Sequence, residues 1–327
     1  MMTDLKTKIL TAVKQDLADV EDTLASNLNP HFELVRRVAG YILFAGGKRL
    51  RPLLMLLCTR LCGNRDRRAV RYAVIFEYLH AATLLHDDVV DGGELRRGKA
   101  AAHHVWDPPT AVLAGDFLLA RSLSLAADTG LPEVIRVIAG ITEKMSQGEI
   151  RQLAHKGDPT LDEAAYLDLI HCKTAVLFEG ACRVGALVAG FSGGQARDLG
   201  RYGYSLGMAF QMADDLLDYT QDSTVLGKKA GADLREGKLT LPVIHTLARA
   251  DEKDRHKMLD VIGKDQFALS EFTELVGLLE GYGGIAYTRQ CAAGHIEEAK
   301  KALDAFADCP ERDTLRDIAD YALKRSF

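Results

Sequence analysis

Between Pro159 and Pro242 the chain carries no proline, and throughout that stretch apolar residues recur at intervals of three and four. Proline removes an amide donor and clashes with the preceding turn, so a long proline-free run with this period is free to form long helices. No segment shows clean apolar/polar alternation bounded by hairpin turns, so strands are expected to be absent or trivial. The pattern predicts helices over Leu5–Ala25, His31–Phe44, Pro52–Cys62, Asp66–Asp91, Thr110–Ala127, Pro132–Gln152, Glu163–Ala189, Gly194–Thr220 and Thr240–Arg249. Four more are expected towards the C-terminus. Length alone would allow two domains, but neither a low-complexity linker nor a short tandem repeat divides the chain. The expected fold class is all-α, with residues 1–327 forming a single large helical bundle.

Inside that frame one acidic signature occurs twice, as Asp87-Asp88-Val89-Val90-Asp91 and Asp214-Asp215-Leu216-Leu217-Asp218. Residues four apart share a helix face, so each motif aims at least two carboxylates at one spot. Like charges at that spacing destabilise a helix, and Asp is a poor helix former, so a compensating cation is expected. Hard carboxylate oxygens suit Mg²⁺, which keeps several waters and shares one or two carboxylates with substrate phosphates. Two facing acidic turns would hold a diphosphate between metal ions. The plainer alternative is chance: Asp fills 29 of 327 positions, so about a quarter of one such motif is expected at random. Two copies, each ending an apolar helical run, argue against a merely solvated face. The Asp66–Asp91 helix would be about 39 Å long at ~1.5 Å per residue. Its carboxylates sit at one end, and its apolar side is placed to line a deep pocket below them.

Bulk properties narrow the partners. A formal charge of -5 leaves no basic footprint for nucleic acid. Cys58, Cys62, Cys172, Cys182, Cys291 and Cys309 form neither a zinc pattern nor a disulfide framework, so reduced thiols in a cytoplasmic protein are expected. The N-terminal segment is polar and periodic, unlike a signal peptide. Unbroken apolar stretches such as Pro52 to Cys58 fall far below the ~18 residues of a membrane span, so no transmembrane segment is expected.

An anionic substrate would then need local basic clusters, and three are present. Lys48, Arg49 and Arg51 follow the diglycine Gly46-Gly47 and precede Pro52, a residue suited to a helix start. Arg96-Arg97-Gly98-Lys99 comes directly after the first acidic motif, and arginine's planar fork suits phosphate oxygens. Gly227-Lys228-Lys229 and Gly237-Lys238 follow the second; their glycines would let the loop close over phosphates. Asp233 either extends the carboxylate set or caps a turn. Lys173-Thr174 lies in an apolar helical run, where Thr bonding back to a carbonyl would bend the helix and aim Lys173 inward. His86-Asp87 admits an HD-type phosphohydrolase, and Glu77-x-x-His80 half of a di-iron bundle site. The second half of that di-iron pattern is missing, and an HD site leaves the second acidic motif unused. His80 is then either a satisfied buried histidine or a phosphate donor.

The segments GGKRLRP, His80 ahead of LLHDDVVD, RRGK, KTAVLFEGA, FQMADDLLDY and GKKAGADLREGKLTLP occur in the order found in trans-isoprenyl (polyprenyl) diphosphate synthases. The chain resembles that family over nearly its whole length, the long-chain octaprenyl and decaprenyl members in particular. The resemblance implies the isoprenoid-synthase helical bundle around a deep central cavity, usually a homodimer, condensing an allylic diphosphate with isopentenyl diphosphate. It implies Mg²⁺, about three ions per site with substrate bound. Asp87, Asp88 and Asp91 resemble the first ligand set and Asp214, with Asp215 and Asp218, the second, with Lys173 also catalytic. Arg96, Lys173, Thr174, Gln211, Lys228 and Lys238 match the family's contacts to the allylic diphosphate. Lys48, Arg51, His80 and Arg97 match its isopentenyl diphosphate site. The implied mechanism is ionisation, addition of the homoallylic double bond and proton loss to released pyrophosphate, with no protein nucleophile. Gly92-Gly93-Glu94 and the His103-His104 segment depart from the usual pattern.

In this family bulky side chains just before the first motif floor the elongation pocket. Here Ala82 and Thr83 are small, and Tyr78 and Leu79 lie one turn deeper. The expected product is therefore long, about forty to fifty carbons, and suited to a ubiquinone side chain or to carotenoid precursors after handing on to a membrane. The competing readings are a farnesyl or geranylgeranyl diphosphate synthase, a class I terpene cyclase and a non-catalytic synthase subunit. A cyclase would lack the second DDxxD and the isopentenyl site.

Overall fold

Helices form where the three-and-four period predicts them, and the all-α class holds. The structure, a computed structural model, describes residues 2–28, 30–220, 231–264 and 266–324. In chain order these are α1 Met2–Ala12, α2 Lys14–Asn27, α3 Glu33–Leu43, α4 Leu50–Leu61, α5 Arg68–Ala73, α6 Ile75–Val90, α7 Ala102–Val105, α8 Pro108–Ala127 and α9 Pro132–Ala154. α10 Glu163–Ile170 runs through a π turn, His171–Ala175, into α11 Val176–Val188, and α12 Gly194–Thr220 follows. Then come α13 Ala232–Arg235, α14 Leu241–Leu247, and the four expected late helices α15 Glu252–Ile262, α16 Leu269–Gly281, α17 Gly284–Ala302 and α18 Pro310–Lys324. Among the described residues the only strands are β1 Leu95–Arg96 and β2 Lys99–Ala100, an antiparallel hairpin. Its central residues Arg97 (φ 52°) and Gly98 (φ 76°) both have the positive φ that a type I′ turn requires.

Three predicted rods are interrupted. Leu5–Ala25 divides at Val13 into α1 and α2, and Asp66–Asp91 divides at Val74 into α5 and α6. The piece ending in the first acidic motif is therefore 16 residues long, about 24 Å rather than about 39 Å. Neither proline nor glycine marks that break: the β-branched pair Val74 and Ile75 sits there with no exposed surface, so tertiary packing sets it. Glu163–Ala189 divides at the π turn, a feature common at functional sites.

Two apolar cores fill the bundle. One gathers α12, α14 and the late helices around Tyr202, Leu206 and Met212, and the other gathers α2, α3, α6, α8 and α9 around Phe76, Tyr78 and Leu118. α4 and α11 contribute to both, with Leu54 and Phe178 on one side and Met55 and Leu177 on the other, which stitches them into one domain. The two acidic motifs lie on opposite sides of this seam. α11 and α12 cross closely: a Cβ on Gly203 would stand 2.3 Å from the Phe178 carbonyl oxygen, so only glycine permits the approach.

Mean hydropathy over α8 reaches 1.4, which makes it the one described helix long and apolar enough to cross a membrane. Asp116 and Arg121 interrupt its apolar run, which is why a search for unbroken stretches passes over it. It packs extensively on α6, as a bundle helix does.

Candidate active site

The three aspartates of the first acidic turn face three environments. Asp87 stands on the wall of a cavity that descends beside α6. Burial, chiefly, pushes its carboxyl up to about 6, with Glu149 and Asp91 adding repulsion against the opposing pull of Lys173. Asp91, the C-cap of α6, accepts a hydrogen bond from Lys238 at 3.1 Å. Asp88 is 2% exposed and turns beneath the hairpin, where Oδ1 accepts from Arg96 Nε at 2.8 Å and from Nη2. Its Oδ2 is buried without a hydrogen bond, as is Glu149 Oε1. Each of these carboxylates already has one cationic partner, Arg96 for Asp88 and Lys173 for Glu149, and keeps one oxygen unpaired.

The second turn divides its labour in the same way. Asp214 faces a larger cavity of about 640 Å³. Asp215 is buried, with Oδ2 accepting from Tyr166 and Oδ1 from Gln211, both at 2.7 Å. Burial, and next the charge of Asp233, push its carboxyl up to about 8 against the pull of those donors. Asp218 accepts the backbone amides of Ala232 (3.0 Å) and Asp233 (3.1 Å), anchoring the start of α13. Among the described residues no three metal-binding side chains form a ready-made cage. The donors that face the cavities fit a divalent ion that takes one or two carboxylates and completes its shell with diphosphate and water.

The first two basic motifs converge on the larger cavity. Lys48, Arg51, His80, Arg96, Arg97, Thr174 and Gln211 all line it. Arg49 adopts the left-handed conformation (φ 49°), so the middle cation of GGKRLRP turns inward. It pairs there with Glu21 at 2.6 Å and Glu77 at 2.8 Å and donates to the Leu43 carbonyl at 2.7 Å. Arg51 instead lies 5.0 Å from the centre of the Phe178 ring, with Nε buried and unbonded. Burial, then the nearby arginines, hold His80 well below its usual range, so it is a neutral imidazole. Such crowded cations are relieved by an anion.

Lys173 opens onto the second cavity from the π turn, held by Glu149 at 2.5 Å and Gln152 at 2.9 Å. The expected inward aim is correct, but its cause is not: Thr174 donates to the Gln211 side-chain oxygen Oε1 at 2.7 Å rather than back to a backbone carbonyl, and the π turn makes the bend. Lys238 bridges Asp91 and Glu236 (2.6 Å). Lys228 lies outside the described residues. Asp233 does not cap α13: its backbone amide is itself capped by Asp218, and the residue lines the larger cavity. The Gly92-Gly93-Glu94 and His103-His104 departures form a turn and α7, with Trp106 edge-on to Tyr41 at 5.3 Å.

A family model described as polyprenyl synthetase matches residues 32–279. The chain belongs to that family. It is 36% identical over 320 residues to octaprenyl diphosphate synthase of Escherichia coli (strain K12), covering 97% of this chain and 98% of the relative. It superposes on the crystal structure of a decaprenyl diphosphate synthase from Rhodobacter capsulatus with a TM-score of 0.92 and 38% identity, covering 98% of this chain and 99% of that one. A polyprenyl synthase from Caulobacter crescentus, complexed with calcium and isoprenyl diphosphate, gives 0.91 and 37%, covering 98% of both chains. This polyprenyl synthetase is thus a prenyltransferase making a trans-prenyl diphosphate. Relatives at 34% to 36% identity are named for short-chain, geranylgeranyl, octaprenyl and nonaprenyl products, so membership does not itself set product length.

The second cavity of this synthetase holds about 340 Å³ and shares Arg51, His80 and Thr174 with the first. Leu79, Ala82 and Thr83 of α6 line one side of it, and Leu119 of α8 with Met145 of α9 line another. Tyr78 does not line it: the ring is fully buried in the core and its hydroxyl donates to the Leu24 carbonyl at 2.9 Å. Leu79 is thus the pocket-facing member of the pair. The sequence reading missed Glu149, Leu119, Met145 and Tyr166. The last three carry no local signal, whereas Glu149, in the GEIRQL stretch, stands alone where paired carboxylates drew notice.

Proposed function

We propose that this synthetase is Mg²⁺-dependent and adds isopentenyl units head to tail to an allylic primer, reaching an all-trans product of about forty to fifty carbons. The observation that carries this is the joined pair of cavities, a cation-lined one walled by the second acidic turn and a second that holds Asp87 of the first and leads past Ala82 and Thr83. Lys48, Arg51, His80 and Arg97 hold isopentenyl diphosphate. Arg96, Lys173, Thr174, Gln211, Lys228 and Lys238 receive the allylic diphosphate. Asp87, Asp91 and Asp214 hold the metal, while Asp88, Asp215 and Asp218 support them from behind. Mg²⁺ bound there supplies charge neutralisation to the departing diphosphate. The chain's own cations add fixed charge already oriented at that leaving group, and burial strengthens their effect. Neutral His80 can donate a hydrogen bond without surrendering a proton.

Leu113 and Leu123 on the outer face of α8 are 65% and 37% exposed, and we assign that face to a homodimer seam. The six free cysteines support a cytoplasmic setting, and the product length supports a ubiquinone-type side chain as its end use. The test is incubation of purified protein with labelled isopentenyl diphosphate and an allylic primer, with and without Mg²⁺ and with each substrate omitted. Long product should require all three components. Products no longer than about twenty carbons would sink the long-chain assignment, and phosphate release without isopentenyl diphosphate would sink the synthase.

A further inference from the structure

Three hydrogen bonds of 2.7 Å form one relay behind the second acidic turn: Tyr166 hydroxyl to Asp215, Gln211 amide to Asp215, and Thr174 hydroxyl to Gln211. Tyr166 and Asp215 are each 3% exposed. Both oxygens of Asp215 are engaged by protein donors, so the carboxylate, although it reaches the wall of the larger cavity, is held from behind as an anchor. What it anchors is the turn that carries its neighbour Asp214 into the cavity. The other end of the relay is Thr174, beside Lys173 on the π turn. Tyr166 itself lies on α10, which runs directly into that π turn. One phenol thus ties α12 to the element that carries Lys173.

We propose that Tyr166 is a positioning residue that fixes the distance between the Asp214 turn and the Lys173–Thr174 turn, and so tunes how the site takes a divalent cation together with diphosphate. The proposal rests on the reading of Asp214 as a metal-holding residue. Without the phenol, one oxygen of Asp215 is left unpaired in the core, an arrangement that is relieved by rotating the carboxylate towards the cavity. Rotation breaks the Gln211 bond and frees Thr174. Lys48, Arg97 and the rest of the isopentenyl side are not in the relay and keep their places.

Tyr166→Phe should therefore raise the half-saturating Mg²⁺ concentration and the allylic diphosphate KM together, by about tenfold or ~1.4 kcal/mol. The isopentenyl diphosphate KM should stay within about twofold, a split that general loosening of the fold would not produce. Binding is read independently of turnover by electron paramagnetic resonance of Mn²⁺ in the presence of inorganic pyrophosphate, where Tyr166→Phe should weaken the ion about tenfold. Unchanged Mn²⁺ and Mg²⁺ constants overturn the proposal, as does a lower melting temperature accompanied by equal loss at both substrates. Should the variant not fold, wild-type protein carrying 3-fluorotyrosine at position 166 answers by ¹⁹F resonance. Mg²⁺ with pyrophosphate should shift that signal, and no shift overturns the proposal. A wild type that binds Mn²⁺ with pyrophosphate but makes no prenyl product would instead count against the functional reading alone.

Discussion

Replacing Ala82 with Phe should turn a long product into a short one. Ala82 lies five residues before Asp87 on α6, a descent of about 7.5 Å at ~1.5 Å per residue. An extended chain advances about 3.5 Å per three bonds, so a four-bond prenyl unit spans about 4.7 Å. The growing tail therefore meets position 82 with its second or third unit. The cavity there holds about 340 Å³. A benzene-sized ring fills a cavity of about 150 Å³, so a phenyl group takes up a little under half the space. Forcing more carbon into a filled site costs about 1–3 kcal/mol, which slows each later condensation by about 5- to 150-fold. The assay extends a ten-carbon primer with labelled isopentenyl diphosphate, then separates the dephosphorylated products by chain length. The main product of Ala82→Phe should fall to about fifteen to twenty carbons, with the first condensation within about threefold of wild type. An unchanged length distribution would refute the reasoning, because the tail could not then pass Ala82.

Tyr78→Phe should leave product length unaltered and lower unfolding free energy by about 1 kcal/mol, the net value of one buried hydrogen bond; denaturant titration and the same product assay check both. Arg49→Met should cost about 3–5 kcal/mol in that titration, because it strands Glu77, 5% exposed, without its partner. Lys48→Ala, on the cavity wall, should raise the isopentenyl diphosphate KM with far less effect on melting. Asp87 sets a pH dependence whose sign follows from its carboxyl being raised from 3.8 to about 6. The folded state then holds more protons than the unfolded one in that window, so its contribution to stability falls as pH rises through it. Metal-free wild type should lose melting temperature across that range relative to Asp87→Asn, and Mg²⁺ with pyrophosphate, which would bind the ionised carboxylate, should reverse that trend. A metal-free wild type that gained on the variant instead would show that Asp87 is not desolvated.

The helix period was enough to predict the all-α class, the late helices and the trivial strands, because 3.6-residue spacing is a local property of the chain. It also predicted that Asp87 and Asp91 share a face, and the order of the motifs led to the family. What it could not supply was which face of each helix meets which neighbour. Tyr78 and Leu79 are adjacent and both apolar enough for the core, yet only contact with α2 draws Tyr78 away and leaves Leu79 in the pocket. Arg49 and Arg51 read alike in sequence until the left-handed turn sends one into a buried ion pair and the other to the cavity. Asp215 looked like a ligand because its local pattern repeats that of Asp88. Tyr166, 49 residues away in the chain, donates to one of its oxygens from behind, a contact no local pattern announces. Local spacing determines which residues can act together, whereas long-range packing decides which oxygen, ring or ammonium is left facing the substrate.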